Sequence, residues 1–206
     1  MASTTVPAAP RAAVADPGPL GLAGFAMTTF ALSIHNANLG PAATGAASAA
    51  LALAIAYGGV VQLLAGMWEF MRNNTFGALA FSSYGGFWIA YYVFVQFVAP
   101  GIKDPADVGA AVTIFLLGWT IFTAYMMIAS FRVSVGVAVV FVLLTITFIM
   151  LTIGAGTGSA GWTQLGGWVG LATAVAAWYS SFAGVLSATF GRPVLPNRSL
   201  APKVEG

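Results

Sequence analysis

The residue types that most often do chemistry in proteins are scarce in this chain. It has a single histidine, His35, no cysteine, and only five aspartates and glutamates in 206 residues. Nucleophilic catalysis needs a nucleophile beside a base, and a metal centre needs several His, Cys or carboxylate ligands. We therefore expect no enzymatic activity, no metal site and no other cofactor.

Polar residues instead stand singly within long apolar stretches, where an unpaired polar group in lipid is costly. Thr28, Thr29 and Asn36 share one helical face with Phe25 by their spacing. Gln62 lies in a second stretch and must find a partner there. Hydroxyls and amides of this kind favour a pathway for small solutes that are neutral or weakly charged.

The charged and titratable residues near the ends of these stretches have simpler explanations. Arg72 follows Glu69 by three residues, a spacing that favours an ion pair along one helix. His35 is expected to be an interfacial, hydrogen-bonded histidine. No Lys or Arg falls near the middle of a stretch, which argues against tight binding of a multiply charged anion.

The composition indicates an integral membrane protein. Hydrophobic residues make up 59% of the chain and charged residues 6%, against roughly a quarter charged in soluble domains. Seven scattered Lys and Arg form no basic stripe, so nucleic acid is not expected as a partner. The lipid bilayer is the expected surrounding.

The spacing of the charges predicts six transmembrane helices. Uncharged stretches of 52, 30, 24 and 59 residues follow one another, and a span needs about 20 apolar residues. The two long stretches each hold two helices and a turn, at 35–41 and at 154–161. The predicted helices lie near 20–35, 47–70, 76–98, 110–131, 133–153 and 162–189.

Orientation follows from the positive residues of the short loops. With six spans only Lys103 lies on one side, and the other side carries Arg11, Arg72, Arg132, Arg192, Arg198 and Lys203. Both termini are thus expected in the cytoplasm, in a multi-pass protein of the cytoplasmic membrane. We expect a disordered cytoplasmic tail at 1–17, one membrane domain at 18–192 and a cytoplasmic C-terminal tail at 193–206.

Depth and small-residue spacing add two expectations. At about 1.5 Å per residue, Phe25, Tyr84 and Leu144 all fall in the middle of the hydrocarbon core. Ala54, Gly58, Gln62 and Gly66 recur every four residues. That row predicts close approach of a neighbouring helix.

Three segments carry a specific resemblance. The first is Asp16-Pro17-Gly18-Pro19-Leu20-Gly21-Leu22-Ala23-Gly24-Phe25, followed by Thr28-Thr29. The second runs from Tyr57-Gly58-Gly59 through Gln62 and Glu69-Phe70 to Trp88, and the third is Phe190-Gly191-Arg192-Pro193-Val194-Leu195-Pro196. Together they resemble the acetate uptake transporter family, whose bacterial members are called succinate–acetate permeases. Asp16 stands where that family usually has Asn, and Gly18 where it has Ala.

The resemblance implies a six-helix protomer with its own pore, a ring-shaped homo-hexamer, and transport of acetate and in some members succinate. It also implies a pore that narrows at hydrophobic and aromatic side chains, here Phe25, Tyr84 and Leu144. The residues expected to hydrogen-bond the carboxylate are Thr28, Thr29, Asn36, Tyr57, Gln62 and Tyr84. Asp16 and Glu69 are expected at the inner vestibule.

Alternatives stay open from the sequence. A neutral-solute channel for ammonia or urea shares the lack of core charges. A membrane scaffold or sensor would have a sealed centre, with Phe25 and Tyr84 in dry contact. Whether protons accompany the solute also stays open: they could be carried through His35, Glu69 or Asp16, or as protonated acetic acid.

Overall fold

The chain is seen in a computed structural model, which describes residues 14–201. Over that range it forms six helical segments and no strands, apart from one isolated bridge between Ser134 and Ser199. The helices are α1 (Gly18–Asn36), α2 (Ala42–Met71), α3 (Thr75–Gly101), α4 (Pro105–Ser130), α5 (Val135–Thr157) and α6 (Ala160–Phe190). Helices α2 to α6 are each long and apolar enough to cross a membrane.

The helix ends follow from local chemistry. Pro19 occupies the first turn of α1, where a missing N–H costs nothing. Helix α2 begins at Ala42 and not near 47, directly after Pro41. Helix α5 continues through Gly154, which the sequence suggested as turn, and ends at Gly158 in the left-handed conformation with φ 65°. The Ser159 hydroxyl then caps α6.

Glycines let α1 lie close to its neighbours. Helix α1 packs chiefly against α6 and also against α2. A Cβ atom added at Gly58 would lie 2.8 Å from the Cβ of Thr28, and one at Gly24 would lie 2.7 Å from the Tyr57 carbonyl oxygen. Gly66 packs against Ser82 of α3 in the same manner. The close approach predicted for the row of small residues in α2 is therefore confirmed at Gly58 and Gly66, which meet two different helices, α1 and α3.

Helix α4 lies at the outside of the bundle. Its described buried residues are only Thr123, Met126 and Ser130, and its exposed side chains include Ile114 and Ile128. Apolar side chains on an outer helix face are what a lipid surrounding requires.

The segment after α6 lies along the turn between α4 and α5. The Val135 N–H donates to the Arg198 carbonyl at 3.0 Å, and the Leu200 N–H donates to the Val133 carbonyl at 3.0 Å. The Tyr179 hydroxyl of α6 donates to the Pro196 carbonyl at 2.8 Å. We call residues 191–201 the C-terminal strap. The remainder of the predicted C-terminal tail, 202–206, lies outside the described residues, as do residues 1–13 of the predicted N-terminal tail.

Candidate pore site

A cavity of about 200 Å3 opens at the end of the bundle where α1 begins. We call it the inner vestibule. Its wall contains both polar and apolar residues, and four of the apolar residues also line the next cavity toward the middle of the bundle. The polar groups belong to Asp16, Gly18, Glu69, Asn74, Ser180 and Asn197, and the apolar residues include Leu22, Ala80, Phe81 and Phe141.

Next to the inner vestibule, toward the middle of the bundle, lies a small cavity of about 20 Å3, which we call the constriction. The two share four lining residues, so they lie next to each other. The constriction is lined by Leu22, Phe25, Gln62, Ala80, Phe81, Tyr84, Val140, Phe141 and Leu144. This space is enough for about one water molecule. A solute larger than water can therefore pass only if the side chains move.

Beyond the constriction lies a larger cavity of about 380 Å3, the outer cavity. It is lined mainly by aliphatic and aromatic side chains, and His35, Asn36 and Thr163 are also in its wall. Phe87 is one turn beyond Tyr84 on α3, and Phe148 is one turn beyond Leu144 on α5. Each of the helices α1, α3 and α5 thus passes the inner vestibule first, the constriction next and the outer cavity last.

The Tyr84 side chain is held by a buried hydrogen bond. Its hydroxyl lies 2.9 Å from the Thr123 hydroxyl, and Thr123 donates its own proton to the Trp119 carbonyl at 2.7 Å. Tyr84 is therefore the donor to Thr123. The Phe25 ring packs against the Tyr84 ring, with centroids 5.7 Å apart. In this arrangement the Tyr84 ring forms the wall of the constriction and its proton is directed to α4.

Gln62 is the polar side chain of the constriction. It is 1% exposed, and its Oε1 has no hydrogen-bond partner among the described residues. It directly follows a π-helical segment of α2, Ala56–Val61. Such segments are rare and often occur at functional sites, because they change the direction in which the following side chains point.

The charged groups of the inner vestibule pair differently from the sequence expectation. Arg72 forms its ion pair with Asp16, and the Gly18 N–H also donates to Asp16 at 3.0 Å. Glu69 accepts from the Asn74 amide at 2.9 Å. The expected Glu69–Arg72 pair is thus wrong, because the start of α1 supplies a second carboxylate and the start of α3 supplies an amide.

The structure brings only some of the predicted binding residues to the cavities. Gln62 and Tyr84 meet Phe25 and Leu144 at the constriction, Asp16 and Glu69 meet in the inner vestibule, and Asn36 lies in the outer cavity. The other three lie outside these linings: Thr28, Thr29 and Tyr57. The Thr28 hydroxyl donates to the Gly24 carbonyl at 2.9 Å.

Three residues at the site escaped the sequence reasoning. Asn74 caps α3 by accepting from the Gly77 N–H at 3.1 Å, and an Asn before a helical stretch is a signal that could have identified it. Thr123 and Asn197 have no such local signal, because each meets the site only through packing of segments distant in sequence.

Comparison with known proteins supports the resemblance. The model of the GPR1/FUN34/yaaH family matches residues 2–200. The succinate-acetate/proton symporter SatP of Escherichia coli is 37% identical over 183 residues, covering 89% of this chain and 95% of that protein. A solved structure of the bacterial acetate channel SatP superposes with a TM-score of 0.81 at 36% identity, covering 89% of this chain and 99% of that one.

Two fungal relatives are longer than this chain. Acetate permease A of Emericella nidulans is 39% identical over 196 residues, and the ammonia transport outward protein 2 of Saccharomyces cerevisiae is 40% identical over 183 residues. The matches cover 88% and 86% of this chain but only 65% and 64% of those proteins. The chain therefore spans slightly less than two thirds of their length. It is a multi-pass, all-helical membrane protein that belongs to the GPR1/FUN34/yaaH family.

Proposed function

We propose that this protein moves acetate, and related small carboxylates such as succinate, across the cytoplasmic membrane through a pore within each protomer. The observation that carries the proposal is the row of three cavities along α1, α3 and α5, narrowest at Phe25, Tyr84 and Leu144. Phe25 and Tyr84 are buried and in contact, as the scaffold or sensor alternative expects. That alternative has no need, however, of cavities on both sides of the contact. The names of the bacterial and fungal relatives point to the same substrate class.

The constriction works as a closed hydrophobic gate. Rotation of the Phe25 and Tyr84 rings opens it, and the Gln62 amide then meets the carboxyl group as water is removed. Within the described lining there is no cation to hold the solute. Binding is therefore weak, and weak binding allows rapid release, as conduction requires.

The carried species is the neutral acid with its proton. Moving an ionised carboxylate into an apolar passage costs several kcal/mol even after relaxation. Keeping a carboxyl protonated at pH 7 costs about 3–4 kcal/mol, and the neutral group then needs little hydration. The Gln62 amide can accept from the acid O–H and donate to the acid carbonyl, so both of its ends are used.

A proton taken up from water in one cavity is then released in the other. This account needs no titratable side chain at the constriction. Glu69, the nearest carboxylate on α2, lies seven residues from Gln62, about 10 Å along the helix. Each acetate carries one proton, which agrees with the word symporter in the name of the bacterial relative.

The same proposal includes six spans, cytoplasmic termini and a homo-hexamer. The 19 residues of α1 extend about 28 Å, close to the 30 Å of a hydrocarbon core. The excess of positive residues on the side of the termini supports the orientation. The ring-shaped hexamer rests on the family resemblance, and residues 18–192 form its membrane domain between two cytoplasmic tails.

Ammonia is a second candidate substrate. It is supported by the name of the yeast relative, which is 40% identical to this chain. An apolar constriction with one amide suits a small neutral molecule as well as a neutral acid.

Uptake of labelled acetate into proteoliposomes, against empty liposomes, tests the proposal. We expect saturable uptake that becomes faster when the outside is made more acidic and does not respond to an imposed membrane potential. Uptake driven by potential and unaffected by the pH gradient would overturn the neutral-acid account alone. No protein-dependent uptake would overturn acetate transport, and ammonia uptake in the same vesicles would then favour the second candidate.

A further inference from the structure

The C-terminal strap supplies part of the wall of the inner vestibule. It is held against the turn between α4 and α5 by the two backbone hydrogen bonds of Val135 and Leu200. The Tyr179 hydroxyl ties it to α6 as well. Asn197, in the middle of the strap, lines the vestibule together with Asp16 and Glu69. The strap therefore places a side chain at the entrance to the pore.

The orientation of the Asn197 amide is set by its partner. The Gly136 N–H, in the first turn of α5, donates to Asn197 Oδ1 at 3.0 Å. An N–H requires an acceptor, so the oxygen must occupy this position and the nitrogen the other. The two Nδ2 hydrogens have no hydrogen-bond partner among the described residues. They are available to a molecule in the vestibule.

The other polar groups of the vestibule are already engaged. The Gly18 N–H donates to Asp16, and the Asn74 amide donates to Glu69. The Ser180 hydroxyl donates to the Ala176 carbonyl at 2.9 Å. The charge of Arg72 is opposed by Asp16. An anion entering the vestibule thus meets two carboxylates and few free donors.

We infer that Asn197 binds the carboxylate group of the solute in the inner vestibule and sets the affinity on that face of the membrane. The inference rests on the proposed function. The solute arrives here as a hydrated anion, and the two Nδ2 hydrogens offset the repulsion from Asp16 and Glu69. Asn197 thereby acts before the solute takes up a proton and enters the constriction.

Substitutions at two neighbouring residues distinguish loss of a direct contact with the solute from a change in the net charge near the vestibule. Asn197→Asp keeps an acceptor for the Gly136 N–H, so the strap stays anchored, but it replaces both donors by a negative charge. Arg198→Gln changes the net charge by the same amount at the adjacent residue, which is exposed and outside the vestibule lining. Asn197→Ala removes donors and anchor without adding charge.

The experiment compares acetate uptake by everted and right-side-out membrane vesicles at equal amounts of folded protein. In the proposed topology everted vesicles present the vestibule to added acetate. We expect Asn197→Asp to raise the half-saturating acetate concentration about tenfold in everted vesicles and less than twofold in right-side-out vesicles. Asn197→Ala should change it in the same direction, and Arg198→Gln should leave it within twofold in both.

Three results would overturn the inference. If Asn197→Asp behaves like Arg198→Gln while Asn197→Ala loses affinity, Asn197 is only an anchor of the strap. An equal loss in both vesicle types would indicate general damage to the protein. If the unaltered protein transports acetate in neither vesicle type, the proposed function fails and the inference fails with it. In the first two cases the proposed function stands.

Discussion

Replacing Gln62 by leucine is expected to stabilise this protein and to slow acetate transport. The Gln62 side chain is almost completely buried, and its Oε1 has no partner among the described residues. A buried polar atom without a hydrogen bond costs about 1–3 kcal/mol. Leucine has a similar size and suits the apolar neighbours Phe25 and Leu144. The free energy of unfolding should therefore rise by about 1–3 kcal/mol.

Transport should change in the opposite direction. If the Gln62 amide meets the carboxyl group as water is removed, leucine takes away up to two hydrogen bonds at the narrowest point. Each is worth about 0.5–1.5 kcal/mol, so flux at low acetate concentration should fall about tenfold. Stabilisation together with loss of flux is typical of a residue kept for function.

Thr173→Val is the matched control. Thr173 is fully buried in α6, and its hydroxyl donates to the Val169 carbonyl at 2.9 Å, away from the three cavities. Its loss should lower stability by about 1 kcal/mol and leave uptake unchanged. Unfolding in detergent micelles and initial uptake rates in proteoliposomes measure both quantities. A Gln62→Leu protein that is less stable and transports normally would refute the reasoning, because Gln62 would then be an ordinary core residue.

Three further substitutions test the constriction and the packing around it. Phe25→Ala removes one ring of the constriction, so the ratio of succinate to acetate uptake should rise several-fold. The free energy of unfolding should fall by about 3–5 kcal/mol. An unaltered uptake ratio would count against Phe25 as part of the constriction. Tyr84→Phe removes the hydrogen bond to Thr123, which costs about 1 kcal/mol. It also removes the hydroxyl that can meet the carboxyl group once the ring has rotated, so acetate flux should fall with folding intact. Unchanged uptake at equal expression would contradict a role for that hydroxyl. Gly24→Ala places a Cβ against the Tyr57 carbonyl. The clash should reduce the free energy of unfolding by about 1–3 kcal/mol, measured as a lower unfolding midpoint. A midpoint equal to that of the unaltered protein would show that α1 and α2 can separate at no cost.

Features that depend on composition and spacing along one helix were predictable. The membrane class followed from the scarcity of charge, and the helical stretches followed from the distances between charged residues. The common depth of Phe25, Tyr84 and Leu144 needed only the rise per residue of a helix. The close packing at Gly58 and Gly66 followed from their spacing, because residues four apart lie on one face.

Features that depend on which helices meet were not predictable. Thr28 and Gln62 are both polar residues in apolar stretches, and the sequence treated them as similar candidates. Packing turned Thr28 toward Gly58, where its proton returns to its own helix, and turned Gln62 toward the constriction. The hydrogen bond between Tyr84 and Thr123 joins α3 to α4. Nothing in the sequence of either helix indicates that these two residues are partners.

The sequence by itself determined that this is a helical membrane protein, roughly where its helices lie, and that Phe25, Tyr84 and Leu144 stand at one level, because those properties are set within each segment. Only the tertiary structure decided that Arg72 pairs with Asp16, that Glu69 pairs with Asn74, and that Asn197 joins the vestibule wall. Those contacts link residues from different helices and from the strap. Their partners are chosen by how the segments pack, and that choice is a property of the whole bundle.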